Sequence, residues 1–329
     1  MRRVTGSVAG IEVPAGRRGP YLPGMQQRWE DPAWIATAHG WIADRLAELG
    51  LTRTGEIEQP HVRDWATAMR VPTDAGDVWF KANTEALAFE AGLVSLLAER
   101  RPDVVPPLLA ADPASGWMLM SDAGPTLRTV EPEEAWLDVW RDVLPRYAEL
   151  QVALTEDVET LLALGVPDLR LATLPERYER LVDQVGAERR FLDALPLVVD
   201  LRDRLAAYGI GETVQHDDLH DGQIFVRDGG FRVLDWGDAC VAHPFFTLSV
   251  SLEGILQWGL HDVEGAVDVA PYRDGYLAPF AAAYPGVDVV EAVEPALRLG
   301  WVCRAVNGHL LGGAERTMTR LRMFLDGTP

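Results

Sequence analysis

Between Asp31 and Gly50 the apolar residues Ile35, Ala38, Ile42, Leu46 and Leu49 recur in steps of three and four, which places them on one face of an α-helix. Asp31 before Pro32 supplies an N-cap and a first-turn proline, and Gly50 supplies the stop. Two β-like runs follow, Trp65 to Thr73 and Asp77 to Ala82, and the turn cluster Asp74-Ala75-Gly76 between them predicts a hairpin. A second helix is expected from about Thr84 to Arg100. The apolar run Gly116 to Ser121 reads as a strand that ends at Asp122-Ala123-Gly124-Pro125, where the chain must turn. From Pro132 the three-four step returns in Leu137, Trp140, Leu144, Tyr147, Gln151 and Leu154, with Pro145 as an expected kink. Further helices are expected from Pro175, from about Leu197 to Tyr208, from Pro244 to Trp258, and from Pro295 to Leu311. The pattern is that of an α+β chain, a small hairpin-built sheet with helices followed by a larger, mainly helical part.

Two strands interrupt the helical part, Gln223 to Arg227 and Phe231 to Trp236, around Asp228-Gly229-Gly230. If all three turn residues form the loop, Arg227 faces Phe231 and Gln223 faces Asp235. Directly opposed residues have Cβ atoms about 5 Å apart, close enough for two oxygen donors to share one cation.

At 329 residues the chain is long enough for about two domains. The turn after Ser121 divides it into an N-terminal lobe, 31–121, and a C-terminal lobe, 122–329, with the Gly-, Pro- and Arg-rich stretch 1–30 as a mobile tail or a strap. A net charge of −20 excludes a nucleic-acid partner, which requires clustered Lys and Arg. Cys240 and Cys303 are the only cysteines, too few for a disulfide framework or a thiolate zinc site, and they point to a reducing cytoplasm. No window is apolar enough for a membrane span.

The stretch His216-Asp217-Asp218-Leu219-His220-Asp221-Gly222-Gln223 sets three aspartates and two histidines within six residues, just before the hairpin. So polar a knot between apolar strands is costly unless it has a function. Phosphoryl transfer requires a carboxylate that receives the acceptor proton, oxygen ligands for Mg²⁺, and a cation on the nucleotide phosphates. The segment from His216 to Asp235 holds the first two. Zinc bound by His216 and His220 is the competing reading, but Gly222 and the β-run after it favour a loop over the helix that such spacing needs.

His216 to Gln223, followed by Val233-Leu234-Asp235-Trp236-Gly237-Asp238, resembles the catalytic and metal-binding motifs of the aminoglycoside phosphotransferase and choline kinase-like superfamily. The resemblance implies a bilobal protein kinase-like fold and transfer of the γ-phosphoryl group of ATP or GTP to a small-molecule hydroxyl, with Mg²⁺ (or Mn²⁺) as cofactor. Asp218 then matches the catalytic base, Gln223 the metal-binding asparagine, and Asp235 the principal metal ligand. Asp217 stands where the family has glycine and leaves two candidates for the base, of which the count to Gln223 favours Asp218. Gln223 keeps the carbonyl oxygen of asparagine on a longer stem, as in related maltokinase-like enzymes. A catalytically degenerate nucleotide-binding regulator is the alternative.

The same fold implies a strand lysine paired with a helix glutamate. Lys81 fits, with Glu90 as partner on the stripe of Ala86, Leu93 and Leu97, and Glu85 competing. The nucleotide base is expected along Leu119 to Asp122, at Met120 and Ser121. No Gly-rich P-loop occurs, which excludes a Walker-type NTPase, and the turn between the first strands, near Gln59 to Asp64, is not glycine-rich, although the resemblance implies a loop of that kind over the phosphates. The acceptor pocket is expected near Glu253, Trp258, Trp301, Arg304 and His309. The resemblance implies a sugar, amino-sugar or aminoglycoside-like acceptor, with which tryptophans that stack on a ring and a Glu253 that pairs with an ammonium are compatible; plain core packing explains the same residues.

Overall fold

The computed structural model describes residues 25–327 apart from 131, 133, 258–264 and 266. Of the tail expected over 1–30, residues 1–24 lie outside the described residues. Residues Met25–Glu30 form helix α1, and α2 (Pro32–Leu49) follows. Asp31 caps α2 by accepting a hydrogen bond from the Ala33 amide at 2.8 Å, and Gly50 ends it in the left-handed conformation, φ 68°. Its buried stripe is Ala38, Ile42 and Leu46, and burial of Ile42 and Leu46 contributes about 1.5–3 kcal/mol each. Leu49, at the frayed end, is exposed.

A five-stranded antiparallel sheet comes next, made of β1 (Glu58–Val62), β2 (Ala66–Thr73), β3 (Gly76–Asn83), β4 (Leu108–Asp112) and β5 (Trp117–Ser121) in the order β1-β2-β3-β5-β4. Along β2 and β3 buried and half-buried positions alternate, as a sheet covered on one face by α2 demands. Trp41 of α2 packs on Phe80 and Trp117 of the sheet. Helix α3 (Phe89–Arg100) joins β3 to β4. Its Leu93, Val94 and Leu97 are buried in the second, larger core, so α3 links the sheet to the helical part.

Beyond β5 run α4 (Ala135–Ala153), α5 (Val158–Ala163), α6 (Leu174–Gln184), α7 (Arg189–Leu192) and α8 (Leu195–Ala206). Short strands β6 (Thr213–Gln215), β7 (Ile224–Arg227), β8 (Gly230–Val233) and β9 (Cys240–Ala242) carry the polar knot, and α9 (Ala270–Ala283), α10 (Val293–Asn307) and α11 (His309–Asp326) complete the chain. Strand β6 pairs with β9, and β7 with β8. Cys240 and Cys303 are buried free thiols, 3.9 Å apart. No helix of the described residues is long and apolar enough to cross a membrane.

Two expectations change. The β7–β8 turn has two residues, not three: Arg227 pairs with Gly230 and Ile224 with Val233, so Gln223 faces Leu234, whose amide donates to the Gln223 carbonyl at 2.9 Å. Asp228 and Gly229 have φ of 53° and 74°, the left-handed pair that a tight hairpin favours and that Asp-Gly adopts readily. The stretch from Pro244 is a 3₁₀ turn at Pro244–Phe246 followed by a π-helix, Ser249–Gln257. Trp258 lies outside the described residues.

Candidate active site

Lys81 sits on β3, and Glu90 in the first turn of α3 is almost fully buried. The ammonium donates to Glu90 Oε1 and to Asp235 Oδ1, both at 2.7 Å, while Asn83 Nδ2 donates to Glu90 Oε2 at 2.7 Å. Burial alone would lower the Lys81 pKa, but the two carboxylates outweigh it, so the lysine stays charged. Glu85, the competing partner, is exposed.

Asp235 follows β8 in the left-handed conformation, φ 62° and ψ 57°. That turn swings its carboxylate back over the hairpin, so Gln223 reaches it despite the one-residue register difference. The Gln223 side-chain amide stands 3.3 Å from Asp235 Oδ2. Lys81 holds the Asp235 carboxyl below the usual range.

The polar knot between β6 and β7 is braced on every side. His216 is wholly buried, and its ring donates from Nε2 to the Leu234 carbonyl at 2.9 Å, leaving Nδ1 to accept from the Asp218 amide at 3.4 Å. Burial drives its pKa down to about 4, so it is neutral. Arg128 clamps Asp221 through two hydrogen bonds of 2.5 and 3.0 Å.

Asp217 and Asp218 are told apart by where they point. Asp217 has φ 63°, the conformation for which glycine is favoured, and its buried carboxylate accepts from Asn307 Nδ2 at 2.9 Å. Burial raises it to about 6. Asp218 faces a cavity, with Arg304 Nη2 at 2.5 Å from Oδ1 and His220 Nε2 at 3.7 Å from Oδ2. Burial would raise the Asp218 carboxyl, yet Arg304, His220 and Arg320 hold it at about 2. Arg304 also lies 3.5 Å from both Asp217 and Asp238. Asp238 is pushed up to about 7 by burial, and its carboxylate faces Arg304.

Two cavities meet here. The larger, about 550 Å³, is lined by Lys81, Glu90, Met120, Ser121, Gln223 and Asp235. The amides of Ser121 and Asp122 already donate to the Pro107 and Asp77 carbonyls, and beyond β5 the cavity is lined by Asp122 to Thr126. The turn between β1 and β2 falls at 63–65, and Arg63 and Trp65 line the cavity there. The smaller cavity, about 170 Å³, shares Gln223 and Asp235 and adds Asp218, Arg304, Arg316 and Arg320.

Of the described residues expected at the acceptor pocket, only Arg304 lines this space. Trp301 Nε1 donates to Glu253 at 2.6 Å, and His309 pairs with Thr317 at 2.8 Å. Asn307, Arg316 and Arg320 had escaped the sequence reading. The signal was Gly308, which breaks the last helical stretch in two, and the spacing of four between the arginines.

No family model matches the chain, and none of the curated proteins does. Among solved structures, Plasmodium vivax ethanolamine kinase superposes with a TM-score of 0.58 at 11% identity, over 90% of this chain and 89% of that one. Choline kinase from Streptococcus pneumoniae gives 0.56 at 13% identity, over 86% and 98%. Macrolide 2′-phosphotransferase from Brachybacterium faecium gives 0.51 at 18% identity, over 87% and 98%. The chain has the kinase-like fold that these small-molecule phosphotransferases share.

Proposed function

We propose that this protein is a small-molecule phosphotransferase, moving the terminal phosphoryl group of ATP or GTP onto a hydroxyl of a sugar or similar small hydroxylated acceptor. The observation that carries the reading is the meeting of two cavities at Gln223 and Asp235, with Lys81 on one side and Asp218 on the other. Residues 31–121 would supply the nucleotide side, including Met120 and Ser121, and 122–329 the catalytic and acceptor side.

Lys81, fixed by Glu90, would bind nucleotide phosphates as a permanent cation. Gln223 and Asp235 offer oxygen donors without sulfur, which suits Mg²⁺ or Mn²⁺, and the Lys81 ammonium on Asp235 supports a cation position at that carboxylate. When bound, the metal would neutralise charge on the phosphates. A half-turn of the Gln223 amide presents its carbonyl to the same place. Asp218, held ionised by Arg304, would orient the acceptor hydroxyl and take its proton late, as a weak base can when bond breaking to the leaving oxygen runs ahead.

Nucleotide consumption over a panel of hydroxylated metabolites tests the reading. Asp218→Asn should lower kcat at least 100-fold and leave nucleotide binding within threefold. Full activity in that variant would refute the role of Asp218. Nucleotide binding without turnover of any acceptor would favour a degenerate regulator.

A further inference from the structure

The 170 Å³ cavity beside Asp218 is walled by Arg304 from α10 and by Arg316 and Arg320 from α11. A chain with 50 acidic and only 30 basic residues has carboxylates to spare for every guanidinium. Arg304 takes three of them, Asp217, Asp218 and Asp238. Arg316 and Arg320 take none: no carboxylate of the described residues lies within 4.0 Å of either. Arg320 Nη1 is moreover buried and has no hydrogen-bond partner among the described residues. A buried guanidinium N–H without an acceptor costs free energy, and arginine cannot escape by losing its proton.

The turn between α10 and α11 brings the guanidinium groups together. A Cβ at Gly308 would press on Arg320 Nη1 and stand 3.0 Å from Arg304 Nη1, so a side chain there would displace both. Two like charges are thus crowded at one wall, and burial, with Arg304 beside it, lowers the Arg320 pKa to about 10 against the pull of Asp218, Asp217 and Asp238. Residues four apart on α11 share one helix face, which aims Arg316 at the same space, at the exposed mouth of the cavity. None of the three arginines lines the larger cavity. The guanidinium donors that lack an acceptor therefore lie in the cavity that holds Asp218, on the side the acceptor would occupy, and Asp218, Asp235 and Asp238 are the carboxylates of its wall.

Resting on the phosphotransferase reading above, we propose that the acceptor is anionic, a small hydroxylated molecule whose carboxylate or phosphate is bound by Arg320 and Arg316 while its hydroxyl meets Asp218. The cavity matches such a molecule, since about 150 Å³ holds a six-membered ring. The guanidinium fork suits carboxylate and phosphate geometry equally. Glu253, which was expected to meet an ammonium, is occupied by Trp301.

Sulfate and acetate serve as probes of the bare site, titrated into the full chain by calorimetry without nucleotide. Saturable binding is expected in the wild type and in Lys81→Met, which removes the nucleotide-side cation. Arg320→Gln should weaken it at least tenfold. Arg316→Gln, at an exposed position that cannot unfold the protein, should weaken it at least threefold, and Arg320→Lys should restore part of the affinity. Absent binding in the wild type, or unchanged binding in both glutamine variants, overturns the proposal. Gluconate, glucose and glucosamine then form a matched acceptor set, and gluconate is expected to lead in kcat/KM by at least tenfold, an advantage that shrinks with added salt. A lead for glucosamine or glucose overturns the proposal; if none of the three turns over, the sulfate and acetate titrations decide. Binding of a fluorescent nucleotide with Mg²⁺ is measured separately and should be unchanged in Arg320→Gln. If no nucleotide binds to the wild type, the phosphotransferase reading fails whatever the anions do, whereas a tenfold loss of nucleotide affinity in Arg320→Gln would assign the arginine to the transferred phosphoryl group and overturn the acceptor proposal.

Discussion

Replacing Arg304 by glutamine removes the one cation shared by Asp217, Asp218 and Asp238. Arg304 is 5% exposed, so water cannot take over. At an effective dielectric of about 20, the attractions to Asp217 and Asp238, both at 3.5 Å, are worth about 5 kcal/mol each and that to Asp218, at 2.5 Å, about 7 kcal/mol, before desolvation is subtracted. The net value can be read at Asp218, whose carboxyl is held at about 2 against an ordinary 3.8, a difference of about 2 kcal/mol at neutral pH. Adding the cost of leaving Asp217 and Asp238 unpaired gives a loss of about 3–5 kcal/mol. In a chain of this length that lowers Tm by roughly 4–7 °C. The sign with pH follows from the same groups. The lowered Asp218 pKa adds stability above about pH 4 that is lost as pH falls through about 2, and the glutamine variant lacks it. Without Arg304 all three carboxyls rise further, so the variant should suffer more at pH 8 than at pH 5, where they can protonate. Urea denaturation of both proteins at the two pH values measures this. A loss below about 1 kcal/mol, equal at pH 5 and pH 8, would refute the three-carboxylate account.

Other expectations follow from single contacts. Asp217→Asn abolishes a carboxyl raised from 3.8 to about 6; its contribution to stability is full below about pH 4 and is lost as pH climbs through 6, so the wild type should lose up to about 3 kcal/mol relative to the variant across that window, read by thermal melts. Asp235→Ala should abolish the dependence of nucleotide binding on Mg²⁺, and EDTA should have no further effect on the variant; retained Mg²⁺ dependence in a fluorescence titration would count against Asp235. Lys81→Met should weaken nucleotide binding at least tenfold with the fold intact by circular dichroism. Gly124→Ala should cost several kcal/mol in urea, because φ is 91° and a Cβ would stand 2.6 Å from the Val226 carbonyl oxygen.

What could be read from the sequence was mostly local. The helix at 32–49, the β2–β3 hairpin and the polar knot each announce themselves within about 20 residues, through period, turn chemistry and crowding of charge. The β7–β8 register was missed because Gly230 was counted into the turn, whereas the Asp228-Gly229 pair alone supplies both left-handed residues. Gln223 still reaches Asp235 only because Asp235 is itself left-handed, a backbone choice that side-chain periodicity does not report. Lys81 and Glu90 were legible as two charges on apolar stripes. The contact between Arg304 and Asp218 was not, since 86 residues separate them and only the packing of α10 brings them together. Arg316 and Arg320 lay past the last helix that the pattern resolved. Strands β1 and β4 were hidden by weak alternation, with no fully buried position in either.

The segment after β5 is fastened to the hairpin that carries Asp235. Arg227 donates to the Asp122 carbonyl at 3.0 Å and to its carboxylate, the Val226 amide donates to the Pro125 carbonyl at 2.9 Å, and Trp79 Nε1 donates to Asp122 Oδ1 at 3.2 Å. Gly124 lets the two backbones close to a distance that no side chain would tolerate. Strand β3, the connector and the β7–β8 hairpin therefore travel as one rigid piece, with Lys81 and Asp235 at a constant separation. A hinge at this connector would first have to break these hydrogen bonds and part the close approach at Gly124, so relative movement of the sheet and the β7–β8 hairpin is opposed where the chain passes from one to the other.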